Sequence, residues 1–349
     1  MTSLILLQFI LLIISQGMDC MQGMDCTDAT TAGVQAANSS QISFSSQKSI
    51  EHAETTWGME LLECERIQLP GGGLITGAGG VSLHSSEDLA VYSRGMPVKG
   101  RIQASYADPH AITPLGSSLC IAPLNLSAFL AGIQDKVPQS GQEICTETLD
   151  WNGTGIDRSE KRADQSFSIP EDKIAGKRSG LYAAYALDKN RSLMAPVQPF
   201  FLTEGKAVLQ AEELVLSENQ SIVINLSTGK EDGRRKLFVA AIMPRREYEN
   251  ATIKLVENKS NPRSILLSFG SRSAEIVVDP ATLPGQMMDL ISLLPENSAI
   301  SMQDSTQSAV ELILLGDGPW EKGEYVINCA IYSSGVGVWG LKQKIVKII

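Results

Sequence analysis

Short apolar runs with a period of two dominate the second half of the chain. Residues 220–228 alternate, with Ile222, Ile224 and Leu226 on one face and Val223, Asn225 and Ser227 on the other. Residues 236–243 form a mostly apolar run flanked by charge, and residues 251–257 put Ile253 and Leu255 on one face. The runs 264–269, 274–278 and 309–315 are bounded by Gly, Pro, Asn or Asp, which predicts strands closed by turns. One segment departs from the pattern. Residues 284–294 carry Met287, Met288, Leu290, Ile291 and Leu294 at helical spacing and stop before Pro295, which predicts a short crossover helix over an open end of the sheets. Its Met pair reads as a core stripe rather than a binding face.

The first half is less regular. Residues 98–106 read as a strand, and 59–67 fit a helix or a strand. Gly71, Gly72 and Gly73, then Gly77, Gly79 and Gly80, flank Leu74-Ile75-Thr76. Their spacing matches neither a dinucleotide fingerprint nor a P-loop, and turns between short strands are expected.

A corner motif occurs twice. Gly180-Leu181-Tyr182 opens the apolar run 183–187, with a turn at Asp188-Lys189-Asn190 and a closing run to Leu202. Gly323-Glu324-Tyr325 opens the run 326–332, with a turn at Ser333-Ser334-Gly335 and a closing run over 338–349. In immunoglobulin-like sandwiches a Tyr near the start of strand F turns its hydroxyl back to the backbone. A Gly just ahead of it suits the tight backbone there. The expected fold is therefore all-β: two tandem immunoglobulin-like β-sandwich domains, the second with the short crossover helix. The expected divisions are a signal peptide and processing region over 1–36, a flexible polar lead-in over 37–56, an N-terminal sandwich over 57–200 and a C-terminal sandwich over 201–349. The linker is expected within 195–205, where Pro196 and Pro199 sit beside apolar residues.

Composition adds a compartment. Of 11 Asn in the chain, eight begin an Asn-x-Ser/Thr triplet without Pro. Ser and Thr together are 53 of 349 residues, so chance predicts about 1.7 such triplets. The candidate N-glycosylation sites are Asn125, Asn152, Asn190, Asn219, Asn225, Asn250 and Asn258, with Asn38 in the lead-in. The competing explanation is turn chemistry in a loop-rich β protein. Period-two geometry points Asn225 outward, opposite in phase to its core-facing neighbours. Asn219, Asn250 and Asn258 flank strands and are expected to be exposed as well. Residues 4–14 are apolar except for Gln8, the length of a signal-peptide hydrophobic region and too short to span a bilayer. Ser15 and Gly17, or Val34 and Ala36, offer cleavage positions, although no Lys or Arg precedes the run. The formal charge of −10 disfavours nucleic acid and anionic lipid as partners. The basic runs Lys161-Arg162 and Arg234-Arg235-Lys236 are expected as solvated turns.

No catalytic constellation is evident. The three His, at 52, 84 and 110, match no zinc-ligand spacing, and no Gly-x-Ser-x-Gly elbow or EF-hand loop occurs. No cofactor or metal site is expected. Aromatic residues are only 5%, little material for a sugar-stacking platform. Among the six Cys, Cys120 and Cys145 are the favoured disulfide, and Cys329 reads as a buried thiol on the face of Tyr325, Ile327 and Ile331.

Four stretches resemble a known family: Tyr248-Glu249-Asn250-Ala251-Thr252-Ile253-Lys254-Leu255, Leu293-Leu294-Pro295-Glu296-Asn297-Ser298-Ala299, Trp320-Glu321-Lys322-Gly323-Glu324-Tyr325 and Ala330-Ile331-Tyr332-Ser333-Ser334-Gly335. Over about residues 205–349 the chain resembles an extracellular domain of Methanosarcina-type methanogenic archaea. The resemblance implies a surface or secreted protein of unassigned activity and brings no catalytic residues. The leading expectation is a non-enzymatic secreted or cell-surface glycoprotein with a structural or adhesive envelope role. Its partners would be other envelope proteins or extracellular ligands. The alternative is an extracellular hydrolase or a solute-binding module. The hydrolase would need two converging carboxylates, and the solute-binding module a large apolar pocket at the domain junction.

Overall fold

Strands make up nearly all the regular structure of the computed structural model. The structure describes residues 42–43, 50–52, 55–68, 74–76, 82–84, 88–106, 118–123, 144–145, 156–157, 162–187, 198–210, 221–229, 232–258, 261–277, 293–315, 320–333 and 336–348. The segment 284–294, expected as the crossover helix, lies outside these residues except for Leu293 and Leu294, which are buried.

Two sheets of the first half share one core. The five-stranded sheet is antiparallel in the order β11 (Ile156–Asp157), β12 (Arg162–Ile169), β8 (Val98–Tyr106), β3 (Thr55–Leu62), β2 (Ile50–His52). The six-stranded sheet runs β10 (Ile144–Cys145), β9 (Ser118–Pro123), β13 (Gly180–Leu187), β14 (Gln198–Thr203), β7 (Asp88–Ser93), β4 (Glu65–Gln68). Its β14–β7 pair is parallel. Met59, Ile102 and Phe167 from the first sheet meet Leu119, Tyr182 and Phe200 from the second. Gly100 allows Phe167 to lie directly over β8: a Cβ there would sit 2.0 Å from the ring.

The second half repeats the arrangement with fewer strands. A three-stranded sheet runs β15 (Val208–Gln210), β16 (Ile222–Ser227), β22 (Ala309–Leu314). A four-stranded sheet runs β21 (Ala299–Ser305), β17 (Lys236–Pro244), β23 (Gly323–Ser333), β24 (Gly337–Ile348). Both are antiparallel. Ile222, Ile224 and Leu226 of β16 face Phe238, Ile327 and Trp339 across a second core. Each such fully buried side chain contributes about 1.5–3 kcal/mol relative to exposure.

Three differences from the sequence-based divisions have physical causes. The boundary at 200/201 would cut β14, which continues to Thr203 in register with β7, so the first half ends three residues later. The lead-in 37–56 is not wholly unstructured chain: β1 (Ile42–Ser43), β2 and the start of β3 lie within it, because free sheet edges recruit them by backbone pairing. The two halves are also not separate in their sheets. A fifth sheet runs β1, β6 (Ser82–His84), β5 (Leu74–Thr76), β18 (Thr252–Asn258), β19 (Asn261–Phe269), β20 (Arg272–Val277). It crosses between halves where β5 pairs parallel with β18, Ile75 opposite Ile253.

Two short helices were not expected: α1 (Glu171–Ile174) and α2 (Arg245–Glu249). Each follows a Pro, whose fixed φ favours the first turn. Tyr248 of α2 is fully buried and carries this helix to the junction of the halves.

Candidate functional site

The two corner tyrosines make the same bond. Tyr182 donates its hydroxyl to the carbonyl of Arg178 at 2.8 Å, and Tyr325 donates to that of Glu321 at 3.0 Å. Both acceptors lie four residues upstream. Gly180 and Gly323, two residues before each Tyr, have φ of 159° and 155°. Burial pushes the Tyr182 phenol up to about 12, despite the opposing Arg94 and Arg178 charges, so it stays a donor. Burial raises Tyr325 too, with Glu321 adding to the effect. Tyr182→Phe and Tyr325→Phe should each lower the stability of their own half by about 1–2 kcal/mol. Thermal unfolding that is unchanged for both would remove the corners from any structural role.

Cys120 and Cys145 form a disulfide between directly paired residues of β9 and β10. It closes a loop of 25 residues, for which the expected loss on replacing both with Ala is about 2–4 kcal/mol. Urea unfolding of the double variant, with oxidised and reduced wild type beside it, measures this. Cys329 is buried in the second core outside any disulfide, its pKa pushed well up by burial. Cys64, half-buried and also outside any disulfide, packs against the first core, and burial raises its thiol against the pull of Arg66.

Of the sequon Asn residues, Asn225 and Asn250 are described and exposed. On β16, Asn225 points away from the core while Ile224 is fully buried. Asn258 ends β18, opposite Asn261 at the start of β19. Asn38, Asn125, Asn152, Asn190 and Asn219 lie outside the described residues.

The halves meet through a half-buried polar cluster. Gln68, the last residue of β4, donates its N–H to Gln343 Oε1 at 2.9 Å. The Gln343 amide donates to Asn328 Oδ1 at 2.7 Å and to Tyr248 Oη at 3.1 Å, with Gln68 O also at 3.1 Å. Tyr248 in turn donates to Gln68 O. The Gln343 carboxamide therefore acts on the edge of β4 as a neighbouring strand would, satisfying an otherwise free edge. Burial drives the Tyr248 phenol far above its ordinary range, which keeps it a donor. Around this cluster Lys342 pairs with Glu65 at 2.7 Å, Ser179 donates to Val336 O at 2.6 Å, and Arg94 pairs with Glu204. The segment after β14 is clasped by β24: Glu204 N donates to Val338 O and Gly205 N to Trp339 O.

Lys236 corrects the expectation of a solvated basic turn. Arg234 and Arg235 are exposed, but Lys236 is 1% exposed. It starts β17 in phase with Phe238 and Ala240, and that phase carries it into the core. Its ammonium pairs with Asp232, donates to Arg234 O at 3.3 Å, and lies 5.0 Å from the centre of the Trp339 ring. The turn bearing Asp232 is exposed, yet its side chain is only 22% exposed because the carboxylate lies against Lys236. The signal was in the sequence as a parity: position 236 shares the core face of the strand.

A cleft of about 750 Å³ opens beside the second corner, between α2, the β19–β20 turn, Pro295–Asn297 and Glu321–Tyr325. Its walls carry charges of both signs, and they brace one another. Arg245 pairs with Glu249 at 2.7 Å and Glu324 at 2.9 Å, and Arg272 donates to Leu294 O at 3.1 Å. Such a surface suits a hydrophilic ligand rather than an apolar solute. Among the described residues no group of three or more His, Cys, Asp or Glu is placed to hold a metal ion. No described helix is long and apolar enough to cross a membrane.

No family model matches the chain, and no curated protein does. Among solved structures, it is similar to Escherichia coli alpha-2-macroglobulin activated by porcine elastase, at 9% identity and a TM-score of 0.24. That match covers 85% of this chain and 22% of the macroglobulin chain. It is also similar to red sea bream transglutaminase, at 9% identity and a TM-score of 0.28, covering 83% of this chain and 31% of the other. The chain thus spans less than a third of either. At these TM-scores neither likeness carries a conclusion about activity.

Proposed function

We propose that the chain is a non-enzymatic secreted or cell-surface glycoprotein whose two immunoglobulin-like modules serve a structural or adhesive role. The observation that carries the reading is Asn225: a sequon at mid-strand, where chance turn chemistry does not operate, presents its Asn to solvent. The sequon excess and the resemblance to methanogen extracellular domains support the same compartment. An export leader over 1–36 belongs to this reading.

The tandem immunoglobulin-like interpretation rests on matched strand roles. In the first half β8 and β12 pair as strands B and E do, and β9, β13 and β14 follow as C, F and G. β7 runs parallel to β14, the position of an A′ strand. In the second half β16 and β22 take the B–E roles and β17, β23 and β24 the C–F–G roles. The clasped junction would hold the modules at one fixed angle, which suits a spacer or a wall component. Glycopeptide mass spectrometry on native protein, with fractionation of the source cell, tests the proposal. Glycans on exposed sequons in the envelope or medium are expected. A bare protein retained in the cytosol would sink it.

A further inference from the structure

The outer face of the three-stranded sheet carries several exposed apolar side chains. Val223 of β16 and Ile313 of β22 are directly paired, 39% and 48% exposed, and Leu315 just beyond β22 is 69% exposed. Val208 of β15 adds a fourth exposed apolar side chain to the same sheet, opposite Ser227. Among the described residues β22 is also an edge strand, so exposed apolar side chains and a sheet edge coincide. That combination invites pairing with a second copy. At the centre of this face stands Asn225, flanked by Gln210 on one side and Glu311 on the other. Successive outward residues on a strand are about 7 Å apart, so Val223 and Ser227 are its immediate neighbours. Asn225 is the first residue of the triplet Asn225-Leu226-Ser227.

We propose that Asn225 is an N-glycosylation site whose glycan lies over this apolar face and blocks edge-to-edge association through β22. The inference rests on the extracytoplasmic reading above and assigns the site a task. The donor is an oligosaccharide on a lipid phosphate carrier, transferred by a membrane oligosaccharyltransferase. The Asn225 amide nitrogen bonds to the anomeric carbon, the anomeric C–O bond breaks, and the lipid phosphate leaves with its electron pair. The amide loses one proton to the transferase. The apolar CH faces of the sugar rings then cover Val223 and Ile313, while the hydroxyls face water.

The test uses the full chain produced in a glycosylating secretory host. Intact mass and glycopeptide mapping read occupancy, and sedimentation reads association. Asn225→Gln and Ser227→Ala remove the same glycan by different substitutions on an exposed face, and Asn250→Gln is the matched control. Both Asn225→Gln and Ser227→Ala should lose one glycan and at least double in apparent mass at high protein concentration. The control should lose one glycan and remain unchanged in mass otherwise. Adding Val223→Thr and Ile313→Thr to Asn225→Gln should restore the original sedimentation. Asn225 bare while Asn250 is occupied would overturn the assignment and leave the general reading standing. Occupied Asn225 whose loss leaves sedimentation unchanged would overturn the shielding role. Every sequon bare would instead defeat the glycoprotein reading on which the inference depends.

Discussion

Asp232→Asn should cost the second half about 3–5 kcal/mol, while Lys236→Met should be close to neutral. The asymmetry follows from burial. Asn at 232 keeps an amide oxygen that can accept from the Lys236 ammonium but removes the countercharge, so the cation stays inside the core beside neutral groups only, the Arg234 carbonyl and the Trp339 ring among them. A ring face is worth far less to an ammonium than a carboxylate. Met at 236 removes the charge and keeps the volume of the stem, so nothing buried is left unpaired. Chemical denaturation of both variants decides the matter. Equal losses would mean that Lys236 is hydrated in solution and the buried pair is not maintained. The wild type should also weaken in acid. Burial pushes the Asp232 carboxyl up, but hydrogen bonds from Lys236 and the Arg234 N–H outweigh it and hold the group below its ordinary value of 3.8. A carboxylate depressed in the folded state stabilises above its unfolded pKa and loses that contribution as pH falls through the folded one. The drop should therefore appear below about pH 4 and be absent in Asp232→Asn.

Gly340→Ala should separate the unfolding of the two halves. A Cβ at 340 would lie 2.4 Å from Ala207 N and 2.8 Å from the carbonyl carbon of Lys206. Both are backbone atoms and cannot rotate away. β24 must retreat from the linker, which also breaks the bonds from Glu204 N to Val338 O and from Gly205 N to Trp339 O. The strain alone is worth about 1–3 kcal/mol, and the lost backbone bonds add about 1 kcal/mol each. Calorimetry should show one transition in the wild type and two in the variant. Gly176→Ala is the control, since nothing lies within 4 Å of a Cβ there. A single unshifted transition in Gly340→Ala would show that the clasp does not couple the halves.

The local layer of this fold is legible in the chain. Alternation over 220–228 is enough to place Asn225 outward and Ile224 inward, because a strand repeats every two residues wherever it packs. The corners at Tyr182 and Tyr325 are legible for the same reason: hydroxyl and acceptor are four residues apart. The Cys120–Cys145 bridge spans only 25 residues. The apolar character of β17 is plain too, yet local charge places Lys236 in a turn, because its neighbours Arg234 and Arg235 dominate it. Parity alone would have put it in the core.

What joins the halves left no mark on any single stretch of sequence. Gln343 and Gln68 are 275 residues apart, and neither looks unusual beside its neighbours. The parallel pairing of β5 with β18 likewise unites segments whose own periodicity is silent about partners. Amino-acid order by itself determined strand phase, the sequons and the short-range bonds, since these depend on backbone geometry within a few residues. Tertiary structure alone decided which edge meets which carboxamide and why Gly340 must lack a side chain. Those outcomes depend on surfaces that exist only once both cores have formed.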